Sequence, residues 1–163
     1  MTEFIPYIGA LLLMSGAYLV GREYSEYVKR RIGETEGIIL LAEHIRSMID
    51  KFLSFGEELY SDFHNSALDR SGFLAELRSG IPDADLNKLV DKLSVSVEVR
   101  EVIIELFLGL GQDYREGELK RIEMLKEKLV SLHKKESLEL EKSLKLTRAL
   151  LLGGALVAVI LGI

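Results

Sequence analysis

Two charge-free apolar ends decide what this chain can become. All 21 Lys and Arg residues and 25 of the 26 Asp and Glu residues fall within residues 22–148, and residues 4–20 and 149–163 hold none. The second run contains only Ala, Leu, Val, Ile and Gly, so no polar side chain shields it from water. Exposing such surface is unfavourable by roughly 25 cal/mol per Å² of apolar area. Both runs are apolar on every face, as a membrane helix is and an amphipathic surface helix is not. At ~1.5 Å per residue, residues 4–20 cover about 26 Å of a hydrocarbon layer about 30 Å thick. Leu146 and Thr147 extend the second run, and Arg148 can snorkel to the headgroups, which brings 18 residues to roughly 27 Å. A cleaved signal peptide is the alternative reading of the first run, and a membrane span is the expected one, because Met1, Thr2 and Glu3 precede it without a positive charge.

The expected organisation is therefore a transmembrane helix in residues 1–21, a helical bundle in residues 22–148 and a second transmembrane helix in residues 149–163. Arg22, Lys29, Arg30 and Arg31 follow the first run, and Lys134, Lys135, Lys142, Lys145 and Arg148 precede the second. By the positive-inside rule the middle segment is cytoplasmic and both termini lie outside. Small residues recur at four-residue spacing, Ala17 with Gly21 and Gly154 with Ala158 and Gly162, which suits close approach of membrane helices within or between chains.

The middle segment reads as all-α. The whole chain holds only two prolines, Pro6 and Pro82, and alternating β-branched runs are scarce. The first helix is expected to continue through Tyr27 and Val28 and to break near Gly33. A second, over residues 34–55, carries Ile38, Leu41, Ile45, Met48, Ile49 and Phe52 on one face. Residues 56–67 suggest a third helix with Leu59 and Phe63 inward, and residues 71–77 a fourth, ended by Gly80, Ile81 and Pro82. Asp83 then caps a fifth that carries Leu86, Leu89, Val90 and Leu93. Ser94 or Ser96 caps a sixth with Val99, Val102, Ile103, Leu106, Phe107 and Leu110, apolar enough to lie centrally in a bundle of about six helices. Gly109 and Gly111 break the chain before one long helix over residues 112–163, whose apolar stripe runs through Leu119, Ile122, Leu125, Leu129 and Leu132 while Lys120, Arg121, Glu123, Lys126, Glu127 and Lys128 form a solvated face.

Catalytic patterns are not evident. The chain has no cysteine, which removes disulfides and thiolate chemistry. His44, His64 and His133 stand in no HExxH arrangement, and His133 with Glu136 lacks the further ligands that zinc needs. Glu123 and Glu127 stand four apart, but the surrounding lysines favour ordinary ion pairing. Gly109, Gly111, Gln112 and Asp113 lack the strand and lysine of a phosphate loop. The acidic middle, with mixed charges, argues against nucleic acid. No cofactor or metal is expected, and the composition suits a non-enzymatic adaptor.

Leu110, Gly111 and Gln112, followed by Arg115, Glu116, Glu118, a charged helix and the closing apolar run, resemble the C-terminal half of the stage III sporulation protein AB family. The apolar start that ends in Gly21, Arg22, Glu23, Tyr24 and Ser25 resembles that family's beginning. The family pattern of Leu, Gly, two residues, Asp and, four later, Gln is altered here, with Asp113 one position early, Tyr114 in the Asp place and Glu118 for the amide. The resemblance implies a fold similar to the cytoplasmic helical domain of the type II secretion platform protein. It also implies a place in a channel complex between mother cell and forespore, beside a sister ATPase on the mother-cell side. Gln112, Asp113, Arg115, Glu116 and Glu118 are then the expected partner-binding residues, with a homo-oligomer also possible in principle. A stand-alone membrane-anchored sensor or regulator is the alternative function.

Overall fold

The first long segment stays helical much farther than its glycines suggest. In the computed structural model, which describes residues 5–52, 56–80 and 86–161, α1 runs without a break over Ile5–Phe52. The expected interruption at Gly33 does not occur. A glycine inside a helix costs only about 1 kcal/mol against alanine, and packing at this point offsets it. Gly33 and Gly37 share one helix face, and the start of a short helix, α2 (Ser66–Ser71), is set against them. A Cβ at position 33 would touch Ala67 at 3.7 Å, and one at position 37 would come within 2.8 Å of both Asn65 Oδ1 and Leu68 Cγ. The glycines make a seat for a neighbour, not a stop.

Beyond α1 come a 3-10 turn at Gly56–Leu59, α2, α3 (Phe73–Arg78), α4 (Leu86–Val90), α5 (Val97–Leu108) and α6 (Arg115–Leu161). All regular structure among the described residues is helical. The single helix expected over residues 56–67 is instead the 3-10 turn followed by an extended Asn65, whose side chain accepts the amides of Ala67 and Leu68 at 3.0 and 3.2 Å. That bond starts α2, as an N-cap asparagine does. Gly72, with φ 78°, closes α2 and opens α3, dividing what the spacing of residues 71–77 presents as one helix. Ser96 caps α5 by accepting the Val99 amide at 3.4 Å. Ile81, Pro82 and Asp83, expected to end one helix and cap the next, lie outside the described residues.

The chain forms two compact units, Arg30–Glu136 and a second made of Met1–Lys29 with Ser137–Ile163. In the first, Ile38, Leu41, Ile45 and Ile49 of α1 meet Leu68, Phe73, Leu74, Leu89, Val90, Val99, Val102, Ile103, Leu106, Ile122, Leu125 and Leu129 in one buried core. Each long helix presents the apolar stripe that its spacing foretells. Within this unit α1 and α6 are antiparallel: Arg31 pairs with Glu136 at 2.7 Å, Arg46 with Glu123 at 3.0 Å and Asp50 with Arg115 at 2.6 Å.

In the second unit, Tyr24 Oη lies 3.4 Å from Ser143 Oγ, and Arg22 pairs with Glu26 one turn along α1. Among the described residues no helix is long and apolar enough to cross a membrane. The two runs expected to span one, residues 4–20 and 149–163, fall largely on positions whose side chains lie outside the described residues. Among the expected helix-packing positions, Ala17, Ala158 and Gly162 also lie there. Gly21 is half-buried, and a Cβ at the exposed Gly154 would meet nothing within 4 Å.

Candidate partner-docking site

The link between α5 and α6 gathers the residues that the sequence singles out. α5 ends at Leu108, and its last carbonyls would lack partners if the chain simply turned away. Three groups supply them. The Gly109 amide bonds back to Glu105 O at 3.3 Å, Gln112 Nε2 donates to Leu108 O at 2.9 Å, and Arg121 Nη1 reaches back from α6 to Glu105 O at 3.1 Å and Leu106 O at 3.4 Å. The Arg121 guanidinium lies where a Cβ at position 109 would be, so Gly109 admits it. A positively charged side chain at a helix C-terminus also complements the negative end of the helix dipole.

Glu118 completes this arrangement and is only 2% exposed. Its carboxylate accepts the Gly111 amide with Oε1 at 2.8 Å and Oε2 at 3.1 Å, and Oε1 takes Arg121 Nη2 at 3.3 Å. Gly111 has φ 77°, a backbone state in which a Cβ is strained, and the Glu118 bond holds its N–H in place. Glu118 is therefore a clamp inside the turn and offers no surface to a partner in this conformation. Arg121, assigned by spacing to a solvated face, is half-buried and joins the same clamp. The i,i+3 spacing of these two opposite charges, beside two glycines seven and twelve residues before Glu118 and Arg121 respectively, is the signal that would have revealed it.

The other expected residues are at the surface. Gln112, Asp113, Arg115 and Glu116 are all exposed, and Tyr114 between them is 90% exposed. Asp113 Oδ1 accepts the Tyr114 amide at 2.8 Å just before α6, and its carboxylate lies against Gly117, where a Cβ would overlap it. Asp113 thus holds the residue just ahead of α6, while Tyr114 O accepts the first helical amide, that of Glu118, at 2.9 Å. Arg115 Nη2 donates to both the carbonyl and the carboxylate of Asp50 at 2.6 Å and so ties this end of α6 to the end of α1. The outcome is an aromatic tip flanked by charges, mounted on a turn that is fixed from beneath. Tyrosine and arginine in such settings are frequent binding anchors.

Elsewhere Glu34, Glu136 and Glu123 are engaged by neighbouring groups. Glu34, buried in α1, accepts the Ser94 amide at 2.5 Å, and burial pushes its carboxyl above the usual range. Ser94 therefore serves Glu34 and leaves the α5 cap to Ser96. Glu136 is held by Arg31 and is mostly enclosed. Glu123 lies between Arg46 and Lys126, and the Lys126 hydrogen bond holds its carboxyl below the usual range. The neighbouring-lysine reading of Glu123 is what the side chains show. No group of three His, Asp or Glu among the described residues could hold a metal ion. No family model, curated protein or solved structure matches the chain.

Proposed function

We propose that this chain is a non-enzymatic platform subunit that docks a cytoplasmic ATPase to membrane components of a sporulation secretion-like channel. The observation that carries the reading is the clamped α5–α6 turn, which presents Gln112, Asp113, Tyr114, Arg115 and Glu116 outward on a rigid support. A docking surface of that form loses little conformational freedom on binding. The likeness to the stage III sporulation protein AB family supplies the class of partner, and the two charge-free runs supply the anchors. In this reading both runs cross the cell membrane, residues 22–148 face the mother-cell cytoplasm and both termini lie outside. Ala17, Gly21, Gly154, Ala158 and Gly162 pack membrane helices against each other or against other channel subunits.

The test is purification of the full chain in mild detergent at low salt, with the accompanying proteins identified by mass spectrometry. An ATPase is expected to accompany the wild-type chain and to be depleted for Glu116→Arg and Tyr114→Ala, which leave the Glu118 clamp intact. Salt near 0.5 M, where the screening length is about 4 Å, should release it. Co-purification of no ATPase would overturn the proposal.

A further inference from the structure

α5 has a second apolar side that the core covers only in part, Ile104 being half-buried against it. Val99, Val102, Ile103 and Leu106 point inward and are fully buried. On the opposite side, at helical spacing, stand Val97, Glu101, Ile104 and Leu108, with Val97 67% and Leu108 46% exposed. Glu101, Ile104, Glu105, Leu108, Gly109 and Gln112 line a shallow groove of about 560 Å³. Its rim is acidic. Glu98, Glu101 and Glu105 are all exposed, Glu98 and Glu101 have no ion pair among the described residues, and Glu105 meets only Lys128 at a loose 4.0 Å. Of the neighbouring cations, Arg121 is engaged by the α5 carbonyls and by Glu118, and Arg100 by Asp91.

We infer that this groove seats a basic amphipathic helix of a partner protein. Three properties select that occupant. The floor sets Ile104 and Leu108 one helical turn apart, the spacing that receives anchors at i and i+3 or i+4 of a helix laid in a groove. The α5 backbone is internally bonded, so the groove offers an extended strand no ladder, and the occupant must satisfy its own backbone groups. The carboxylates on the rim repel lipid phosphates and attract lysine and arginine. A second copy of this chain in a two-fold arrangement would set Glu98, Glu101 and Glu105 against themselves, which disfavours it. The inference rests on the platform reading for its biological setting, since Gln112 belongs both to the groove and to the exposed turn. Its physical content stands apart from that reading.

The experiment uses the full chain in neutral dodecyl maltoside micelles and a fluorescein-labelled 18-residue Leu/Lys amphipathic peptide, read by fluorescence anisotropy against a micelle blank. A Leu/Glu peptide of the same length is the negative probe. The Leu/Lys peptide is expected to bind the protein above the blank, and the Leu/Glu peptide is not. The double variant Glu101→Lys/Glu105→Lys should weaken binding by about tenfold or more, as reversal of two facing charges does. Leu108→Ser, which leaves the charges in place, should weaken it about five- to tenfold by removing apolar contact. Glu127→Lys/Glu139→Lys makes the same change of charge on α6 and should leave the affinity within about twofold. Circular dichroism and melting of each variant must match wild type.

An equal loss in the α6 control would mean general attraction to an acidic protein and would overturn the inference. So would the absence of Leu/Lys binding, or light scattering that shows a wild-type oligomer dispersed by the Glu101/Glu105 reversal, since a second copy would then be the occupant. The two proposals fail separately. If the ATPase accompanies the Glu101→Lys/Glu105→Lys chain undiminished while peptide binding is lost, the groove serves another partner. If the peptide binds as expected and no ATPase accompanies the wild type, the platform reading falls and the groove stands.

Discussion

Removing the Glu118 carboxylate should loosen the α5–α6 turn before it unfolds anything else. In Glu118→Ala the Gly111 amide loses both oxygens that it meets at 2.8 and 3.1 Å, and Arg121 loses its partner at 3.3 Å. A hydrogen bond to a charged group contributes about 1.5–3 kcal/mol. Arg121, half-buried, keeps its α5 carbonyl partners and some access to water. The expected cost at the turn is thus about 2–3 kcal/mol. At tenfold per 1.4 kcal/mol, amide hydrogen exchange at Gly111 should quicken by roughly 30- to 150-fold. Glu118→Gln keeps one acceptor for the amide and loses the charge, so its effect should be about 1 kcal/mol, or roughly fivefold. The assay is hydrogen exchange resolved to the peptide covering residues 108–115, with peptides from α1 as the internal reference. If Ala and Gln accelerate exchange equally, or Ala by less than about threefold, the clamp is not what holds the turn.

Other perturbations test the fold around it. Gly37→Ala would drive a Cβ into Asn65 Oδ1 and Leu68, both held by the α2 cap, and should lower stability by about 1–3 kcal/mol in urea unfolding. Asn65→Ala removes the acceptor of two amides and should cost about 1 kcal/mol by the same measurement. Phe73→Ala empties a fully buried site beside Phe107, at 6.1 Å between ring centres, and should cost about 3–5 kcal/mol. Glu34 gives a pH test. Its carboxyl is raised in the fold, so the folded chain binds that proton more tightly than the unfolded chain. Its relative stabilisation is full below the ordinary glutamate value of about 4.3 and is lost as pH rises through the folded value. The stability of wild type relative to Glu34→Gln should accordingly fall over that rise in chemical denaturation followed by circular dichroism, and a flat difference would refute the burial argument.

The all-helical character and the core stripes were readable because both follow from spacing. Ile38, Leu41, Ile45, Ile122, Leu125 and Leu129 recur at helical intervals and are all buried. The misreadings share a cause in tertiary contact. Gly33 looks like a breaker by propensity, but nothing local announces that α2 will settle against it. The split at Gly72 and the replacement of a helix by a 3-10 turn depend on one left-handed residue and on the Asn65 cap, which composition does not distinguish from a tolerated glycine or a surface amide. At the site, the exposed charges of residues 112–116 were legible as surface. The buried role of Glu118 was not, because its partner is a backbone amide that carries no side-chain signature. The outer face of α5 was hidden by its own apolarity, since a helix rich in Val, Ile and Leu reads as central even where one side is covered only in part.

The charge ladder between α1 and α6 in the unit Arg30–Glu136 fixes more than their proximity. Because Arg31 and Asp50 each meet an opposite charge at one setting, sliding one helix by a turn of about 5.4 Å would set Arg31 beside Leu132 or Leu140 instead of Glu136, and Asp50 beside Gly111 or Leu119 instead of Arg115. Under a pull along its axis, the slide is opposed chiefly at the two ends of the pair, where Arg31 and Asp50 would part from their partners.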